Sequence, residues 1–100
     1  MTPYPVTVLT PHGKLFEDQV EFISAPGVEG YLGIMARHAP MVAMLGKGVL
    51  KTQKSGNEQF WAINSGVLEV NKKGEVLVLA DAAVAGTSLD DAKTKLPELT

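Results

Sequence analysis

The chain has 100 residues, 45% of them hydrophobic, and a formal net charge of −2 at pH 7. This length suits one domain, and the weakly acidic balance, with Arg37 as the single arginine, argues against a nucleic-acid binder, which usually carries a basic patch. The chain has no cysteine, so disulfides and thiolate metal sites are excluded, and its apolar runs are far shorter than the about 20 residues that a membrane span needs.

Most of the chain alternates between apolar and polar residues with a period of two, which predicts short β-strands. In chain order, the predicted strands are residues 5–10, 14–20, 21–24, 41–45, 49–54, 58–64, 67–70 and 75–79, separated by turns rich in Gly, Ser, Asn and Pro. Such short, evenly spaced strands indicate an antiparallel sandwich or barrel. The core candidates in the first part of the chain are Leu15, Val20, Phe22 and Ile23.

One helix is predicted near the end of the chain. Ser88 followed by Asp91 resembles a capping box with Asp in place of Glu or Gln. The helix is expected to run from Leu89 to about Leu96, because Pro97 cannot donate a hydrogen bond in a helix interior. We therefore expect a β-sandwich domain over residues 1–86 and a short helix and tail over residues 87–100.

The segment from Ala25 to Pro40, APGVEGYLGIMARHAP, is dense in shape-determining residues. Gly allows backbone conformations that other residues resist, and Pro fixes its own, so this segment predicts a loop-strand-loop surface made for docking. A phosphate cradle is disfavoured because no helix follows the glycines. His38 lacks the partners that a catalytic or metal-binding histidine needs, which favours a structural or interface role.

Two further groups of apolar residues each allow two interpretations. The methionines Met35, Met41 and Met44, with Ala43, form either an adaptable apolar surface patch or ordinary core filling. Phe60 and Trp61 are neighbours in one predicted strand, so one faces the core and the other the opposite surface.

Several motifs resemble the N-terminal domain of the epsilon subunit of rotary F-type ATP synthase. They are PHGKLFE (11–17), PGVEGYLGI (26–34), HAP (38–40), GVL (48–50), SGVLEV (65–70) and VLVLADA (76–82). The resemblance covers roughly residues 6 to 92. It implies a mainly β fold, a ten-stranded antiparallel β-sandwich or flattened barrel with a short C-terminal helix.

The resemblance also implies a function. Such a subunit performs no chemistry and needs no cofactor or metal. It binds the gamma subunit and the polar loops of the c-ring, and transmits rotation between proton or sodium ion translocation and the alpha/beta catalytic hexamer. It is peripheral, on the cytoplasmic side of the bacterial inner membrane, without inserting into the bilayer.

The resemblance assigns individual residues to two interfaces. The c-ring side carries Glu29, Gly30 and Tyr31. The gamma side carries Thr10, Arg37, His38, Met41, Ala43 and Met44. Two of these depart from the family pattern, since family members often have a second Glu at the position of Tyr31 and a Gly at the position of Arg37.

The end of the chain departs further from the family. Lys93 stands where the family's ATP-binding motif has an arginine, and Lys cannot reproduce the planar contact of a guanidinium. The C-terminal helical hairpin of the family is expected to be short or missing, and ATP binding is not assigned. Two other functions stay open: a free-standing β-sandwich that binds a small ligand or peptide, and a small hydrolase that uses His38.

Overall fold

The computed structural model describes residues 2–99. In chain order the elements are β1 (Tyr4–Thr10), β2 (Gly13–Val20), β3 (Phe22–Gly27), β4 (Gly30–Ile34), β5 (Met41–Lys54), β6 (Asn57–Val70), β7 (Val76–Gly86), α1 (Leu89–Lys95) and a 3-10 turn (Leu96–Glu98). The mainly β fold with a short C-terminal helix confirms the predicted fold class. No helix within residues 2–99 combines the length and the apolar character needed to cross a membrane.

The strands form one sheet in the order β2-β1-β7-β6-β5-β3-β4. Every neighbouring pair is antiparallel except β1 and β7, which run parallel. The expectation of a purely antiparallel sheet is therefore wrong at this one joint. Alternation of side chains reports which face a residue occupies but not the direction of a distant partner strand, and no turn connects β1 directly to β7.

The sheet has seven strands rather than ten. Three of them, β5, β6 and β7, each continue through an interruption of the pairing, and counting their two parts separately would give ten. β5 runs through residues 46–48 and β6 runs through residues 65–66. The pairing register skips Gly46, Ser65 and Asp81 at the same level of β5, β6 and β7. We call these three residues the fold line, because the buried side chains change from one face of the strand to the other across it, from Ile63 to Leu68 in β6. This is the pattern of one sheet folded into two layers around a common core. The register is the same on both sides of the fold line, so the pairing is interrupted at one position in each strand and the strands continue.

The core lies between the two layers. Its fully buried members include Val6, Val8, Ile23, Ile34, Leu45, Leu50, Ile63, Leu68 and Val78. Trp61 is buried while Phe60 is half-buried, as the alternation predicted. Val20 is buried like Ile23, which confirms both as core residues, and Phe22 is half-buried.

Leu15 is 39% exposed, so its assignment to the core is wrong. Its neighbour Phe16 packs edge-on against Trp61, with ring centroids 4.9 Å apart. Successive side chains of a strand point to opposite faces. Because Phe16 faces the core, Leu15 faces the opposite, outer side of the strand.

Helix α1 begins as predicted. The Ser88 hydroxyl accepts a hydrogen bond from the Asp91 backbone N–H at 3.1 Å, and the Asp91 carboxylate accepts one from the Thr87 N–H at 2.8 Å. This second bond, with a further one from Lys95, lowers the pKa of Asp91. The fully buried Ala92 packs on Gly86, where an added Cβ would lie only 2.8 Å from it. The chain then continues through Pro97 as the 3-10 turn.

Candidate docking surface

A row of apolar side chains crosses the outer face of the layer that contains β1. Leu9 of β1 pairs with Leu79 of β7. Leu79 pairs in turn with Val67 of β6, which pairs with Met44 of β5. Directly paired residues point to the same face of a sheet, so these four side chains lie side by side. The Val28 N–H donates to the Met44 carbonyl oxygen at 3.0 Å, which brings Val28 to the end of what we call the apolar row.

The apolar row is open to solvent over much of its length. Met44 is 59% exposed, Val28 65% and Leu79 46%. Val42 lies on the same face of β5 as Met44, two residues earlier, and is also 65% exposed. We call the apolar row together with Val42 the docking surface. Contiguous exposed apolar surface on a small domain marks an interaction site.

Met41 and Ala43 occupy the opposite face of the same strand. Met41 pairs with Val70 and Ala43 with Leu68, and both partners are buried. Met41 accordingly packs against the core, and both Met41 and Ala43 are half-buried. The residues assigned to the gamma side from the sequence therefore lie on both faces of this strand.

Three exposed members of the docking surface were not among the residues assigned to an interface from the sequence: Val28, which lies in the Ala25–Pro40 segment, Val42 and Leu79. The alternation that predicted this part of β5 could also have identified Val42, because Val42 and Met44 must lie on the same face of the strand. Val28 and Leu79 belong to other strands or turns, and only the register of the folded sheet brings them beside Met44.

Thr10 lies at the β1 end of the apolar row. Its hydroxyl oxygen accepts a hydrogen bond from the His12 N–H at 3.1 Å, which closes the turn into β2. Thr10 and Leu9 share a shallow depression with Leu79 and Asp81. The structure thus brings Thr10 close to Leu79 at the edge of the apolar row, although the two are 69 residues apart in the chain.

The turn between β3 and β4 lies at the other end of the row, next to Val28. It carries Glu29 and Gly30, both exposed, and Gly30 has a φ of 131° that glycine tolerates best. An added Cβ on Gly27 would lie 2.7 Å from the Gly30 carbonyl oxygen. The turn is therefore compact, and it presents the Glu29 carboxylate to solvent.

Tyr31 braces β4 against β5. Its hydroxyl accepts a hydrogen bond from the Val49 N–H at 2.9 Å, although 63% of the residue is exposed. Pairing between β3 and β5 is irregular between Ser24 and Gly27, so the hydroxyl supplies an acceptor where the register of β3 is broken. Gly48 permits this approach, because a Cβ there would lie 2.6 Å from the hydroxyl.

The turn between β4 and β5 carries Met35, Arg37 and His38. Met35 is 57% exposed, and Arg37 is exposed with a φ of 64°. His38 is half-buried, and its Nδ1 lies 2.8 Å from the carbonyl oxygen of the next residue, Ala39. Within residues 2–99, no group of three or more His, Asp or Glu side chains is arranged to hold a metal ion.

The ion pairs of the described chain lie away from the docking surface. They join Lys14 to Glu17, Lys51 to Glu58, Lys54 to Asp18 and Lys95 to Asp91. The Lys54 hydrogen bond lowers the pKa of Asp18. Partly exposed pairs of this kind contribute little to stability. The surface chemistry of greatest interest is apolar, and the charges near it are Glu69, which pairs with Val42, together with Asp81, Glu29 and Arg37.

Comparison with known proteins gives consistent results. The family model described as "ATP synthase, Delta/Epsilon chain, beta-sandwich domain" matches residues 4–86. An ATP synthase epsilon chain from Syntrophomonas wolfei is 43% identical over 93 residues, which cover 92% of this chain and 67% of that protein.

Solved structures give the same fold. A chain of the Euglena gracilis mitochondrial ATP synthase, from a cryo-EM structure of OSCP, F1 and the c-ring, superposes with a TM-score of 0.78 at 25% identity, covering 85% of this chain and 54% of that one. A chain of the Tetrahymena thermophila central stalk and c-ring gives a TM-score of 0.71 at 18% identity, covering 83% and 66%, and shows likeness of fold alone. The present chain thus spans between half and two thirds of these relatives.

Proposed function

Because the chain belongs to the family of ATP synthase delta and epsilon subunits, we propose that it is a non-catalytic central-stalk subunit of a rotary F-type ATP synthase. In this role it joins the gamma subunit to the c-ring and turns with both. Rotation then passes between proton or sodium ion translocation and ATP synthesis or hydrolysis in the alpha/beta hexamer. The subunit is peripheral, on the cytoplasmic side of a bacterial membrane. The Euglena relative, which comes from a structure with F1 and the c-ring, supports this role.

The observation that carries the proposal is the docking surface. Met44 and Leu79 come from strands that are paired through Val67, so their relative positions are fixed by the backbone hydrogen bonds of the sheet. A rigid apolar surface of this kind binds a partner without paying the entropy of ordering its own backbone. It suits a subunit that must transmit torque, because close-packed interiors deform little. We assign the docking surface, with Thr10, Arg37 and His38 at its margins, to the gamma subunit.

The β3–β4 turn supplies the second contact in this proposal. Glu29 and Gly30 form its exposed tip, and the Tyr31 hydrogen bond to Val49 holds the following strand in place. A braced turn with an exposed carboxylate is suited to polar loops, such as those of a c-ring. We therefore assign Glu29, Gly30 and Tyr31 to the c-ring side.

The substitution Met44→Asp tests the gamma contact. It introduces a charge in the middle of the docking surface, where a bound apolar partner could not hydrate it. Met44 is 59% exposed, so the free domain should keep its stability. We expect affinity for the purified gamma subunit, measured by calorimetry or surface plasmon resonance, to fall more than about 30-fold, the effect of losing one interface anchor.

Gln59→Asp is the matched control. Gln59 is exposed on the other half of β6, beyond the fold line, and its replacement adds the same charge. This variant should bind gamma like the unmodified chain. Equal affinity of the Met44→Asp variant and the unmodified chain would refute the assignment of the gamma contact, and an unmodified chain without affinity for gamma would refute the stalk function itself.

A further inference from the structure

Arg37 occupies a backbone conformation that is unfavourable for its side chain. Its φ of 64° lies in the left-handed region, which glycine and asparagine adopt readily and which costs other L-residues about 1–2 kcal/mol. Two serines share a positive φ, but each has a local reason. Ser55 forms the β5–β6 turn with Gly56, and the Ser65 hydroxyl donates to the Asp81 carboxylate at the fold line.

Arg37 also lies in a turn, between β4 and β5, but a glycine there would supply the same backbone conformation without the strain. Among residues 2–99, its guanidinium takes part in none of the four ion pairs and in no side-chain hydrogen bond. It is also the only arginine of the chain. Strain that the rest of the fold does not need is a sign of function, so the guanidinium is the feature that requires an explanation.

The surroundings of Arg37 indicate the chemistry of its partner. The turn that holds it joins β4 to β5 and leads directly to Val42 and Met44 of the docking surface. Met35, two residues before it, is 57% exposed. An unpaired guanidinium beside exposed apolar side chains complements a partner surface that is apolar and carries a carboxylate. Guanidinium and carboxylate form paired, parallel hydrogen bonds that are stronger and more directional than neutral ones.

Glu29 and Arg37 carry opposite charges and lie near different parts of the docking surface. The Arg37 turn precedes the Met41 end of β5, while Glu29 adjoins Val28, which is bonded to Met44 further along that strand. In the proposed assembly the Arg37 guanidinium therefore faces the gamma subunit at one end of this surface, while the Glu29 carboxylate faces the c-ring at the other. Charges at the margin of an interface fix the orientation of a partner.

We infer that Arg37 is a specificity-determining residue of the docking surface, which forms a two-pronged ion pair with a carboxylate of the gamma subunit. The inference rests on the proposed function and specifies one contact within it. It predicts that the side chain lowers the stability of the free domain and raises its affinity for the partner. These two effects have opposite signs and can be measured separately.

Two substitutions separate the backbone effect from the side-chain effect. Arg37→Gly relieves the strain and removes the guanidinium, whereas Arg37→Ala removes the guanidinium and keeps an L-residue at φ 64°. We expect R37G to melt about 4–8 °C above the unmodified chain and R37A to melt close to it. Both should bind the gamma subunit about tenfold or more weakly at low salt.

The salt dependence identifies the lost contact as ionic. The difference in gamma affinity between the unmodified chain and R37A should shrink as sodium chloride is raised to about 0.5 M, because salt screens exposed charges. Unchanged gamma affinity of R37G and R37A would overturn the inference. So would Arg37-dependent binding to vesicles of anionic phospholipid without an effect on gamma affinity, since the guanidinium would then recognise a lipid phosphate. The unmodified chain's own affinity for gamma reports on the proposed function independently.

Discussion

Gly66→Ala tests the fold line that turns one sheet into two layers. Gly66 follows Ser65 and has a φ of 147°, and an added Cβ would lie 2.1 Å from the Leu79 carbonyl oxygen and 2.9 Å from the Ala80 Cα. The unfavourable φ costs about 1–2 kcal/mol. Displacing the β7 backbone costs a further amount of about 1–3 kcal/mol, as overpacking does elsewhere. The sum is a large part of the about 5–15 kcal/mol that stabilises a typical domain.

Thermal melting followed by circular dichroism measures this effect, and we expect a fall in Tm of at least about 10 °C. Gly13→Ala is the control, because Gly13 has a φ of 123° but no atom within 4 Å of an added Cβ. Gly13→Ala should lose only the stability that the unfavourable φ costs. Its fall in Tm should therefore be about half as large as that of Gly66→Ala. Equal shifts in Tm for the two variants would refute the close approach of β6 and β7 at the fold line.

Two further predictions concern the brace at Tyr31 and the start of α1. Tyr31→Phe removes the acceptor for the Val49 N–H, so the variant should lose about 1 kcal/mol of stability and exchange the Val49 amide faster by NMR; unchanged exchange would contradict the brace. The pKa of Asp91 is lowered by its bonds from Thr87 and Lys95, so its contribution to stability should be complete above about pH 5 and lost as the pH falls through the folded-state pKa. Asp91→Asn should flatten this acid dependence in melts between about pH 3 and pH 7, and identical pH profiles for variant and unmodified chain would refute the linkage.

Local sequence signals predicted most of the fold. The start of α1 follows from Ser88 and Asp91, whose side-chain hydrogen bonds act within one turn of the chain. The buried Val20 and Ile23 follow from alternation along single strands. The predicted number of strands was wrong at residues 46–48 and 65–66. Glycine occurs both inside a long strand and in a turn between two short strands, so the residue type alone does not distinguish the two cases.

The candidate site was predictable to a lesser degree for a related reason. Family motifs pointed to the region around Met44 and the β3–β4 turn, which is exposed in the structure, and alternation alone would have added Val42. The apolar row, however, depends on Leu79 lying beside Val67 and Val67 beside Met44. These are register relations between strands, which no pattern within a single strand encodes.

The parallel joint between β1 and β7 has a consequence for how the domain is made. β1 starts at Tyr4, yet its neighbours in the sheet are β2 and a strand that begins at Val76. Until the ribosome has released that late segment, the first strand has only its hairpin partner, and its buried valines Val6 and Val8 lack half of their cover. Pairings between such distant segments form slowly, so the sheet is completed only after β7 has been made, and a nascent chain stopped before residue 76 should engage chaperones through its N-terminal hairpin.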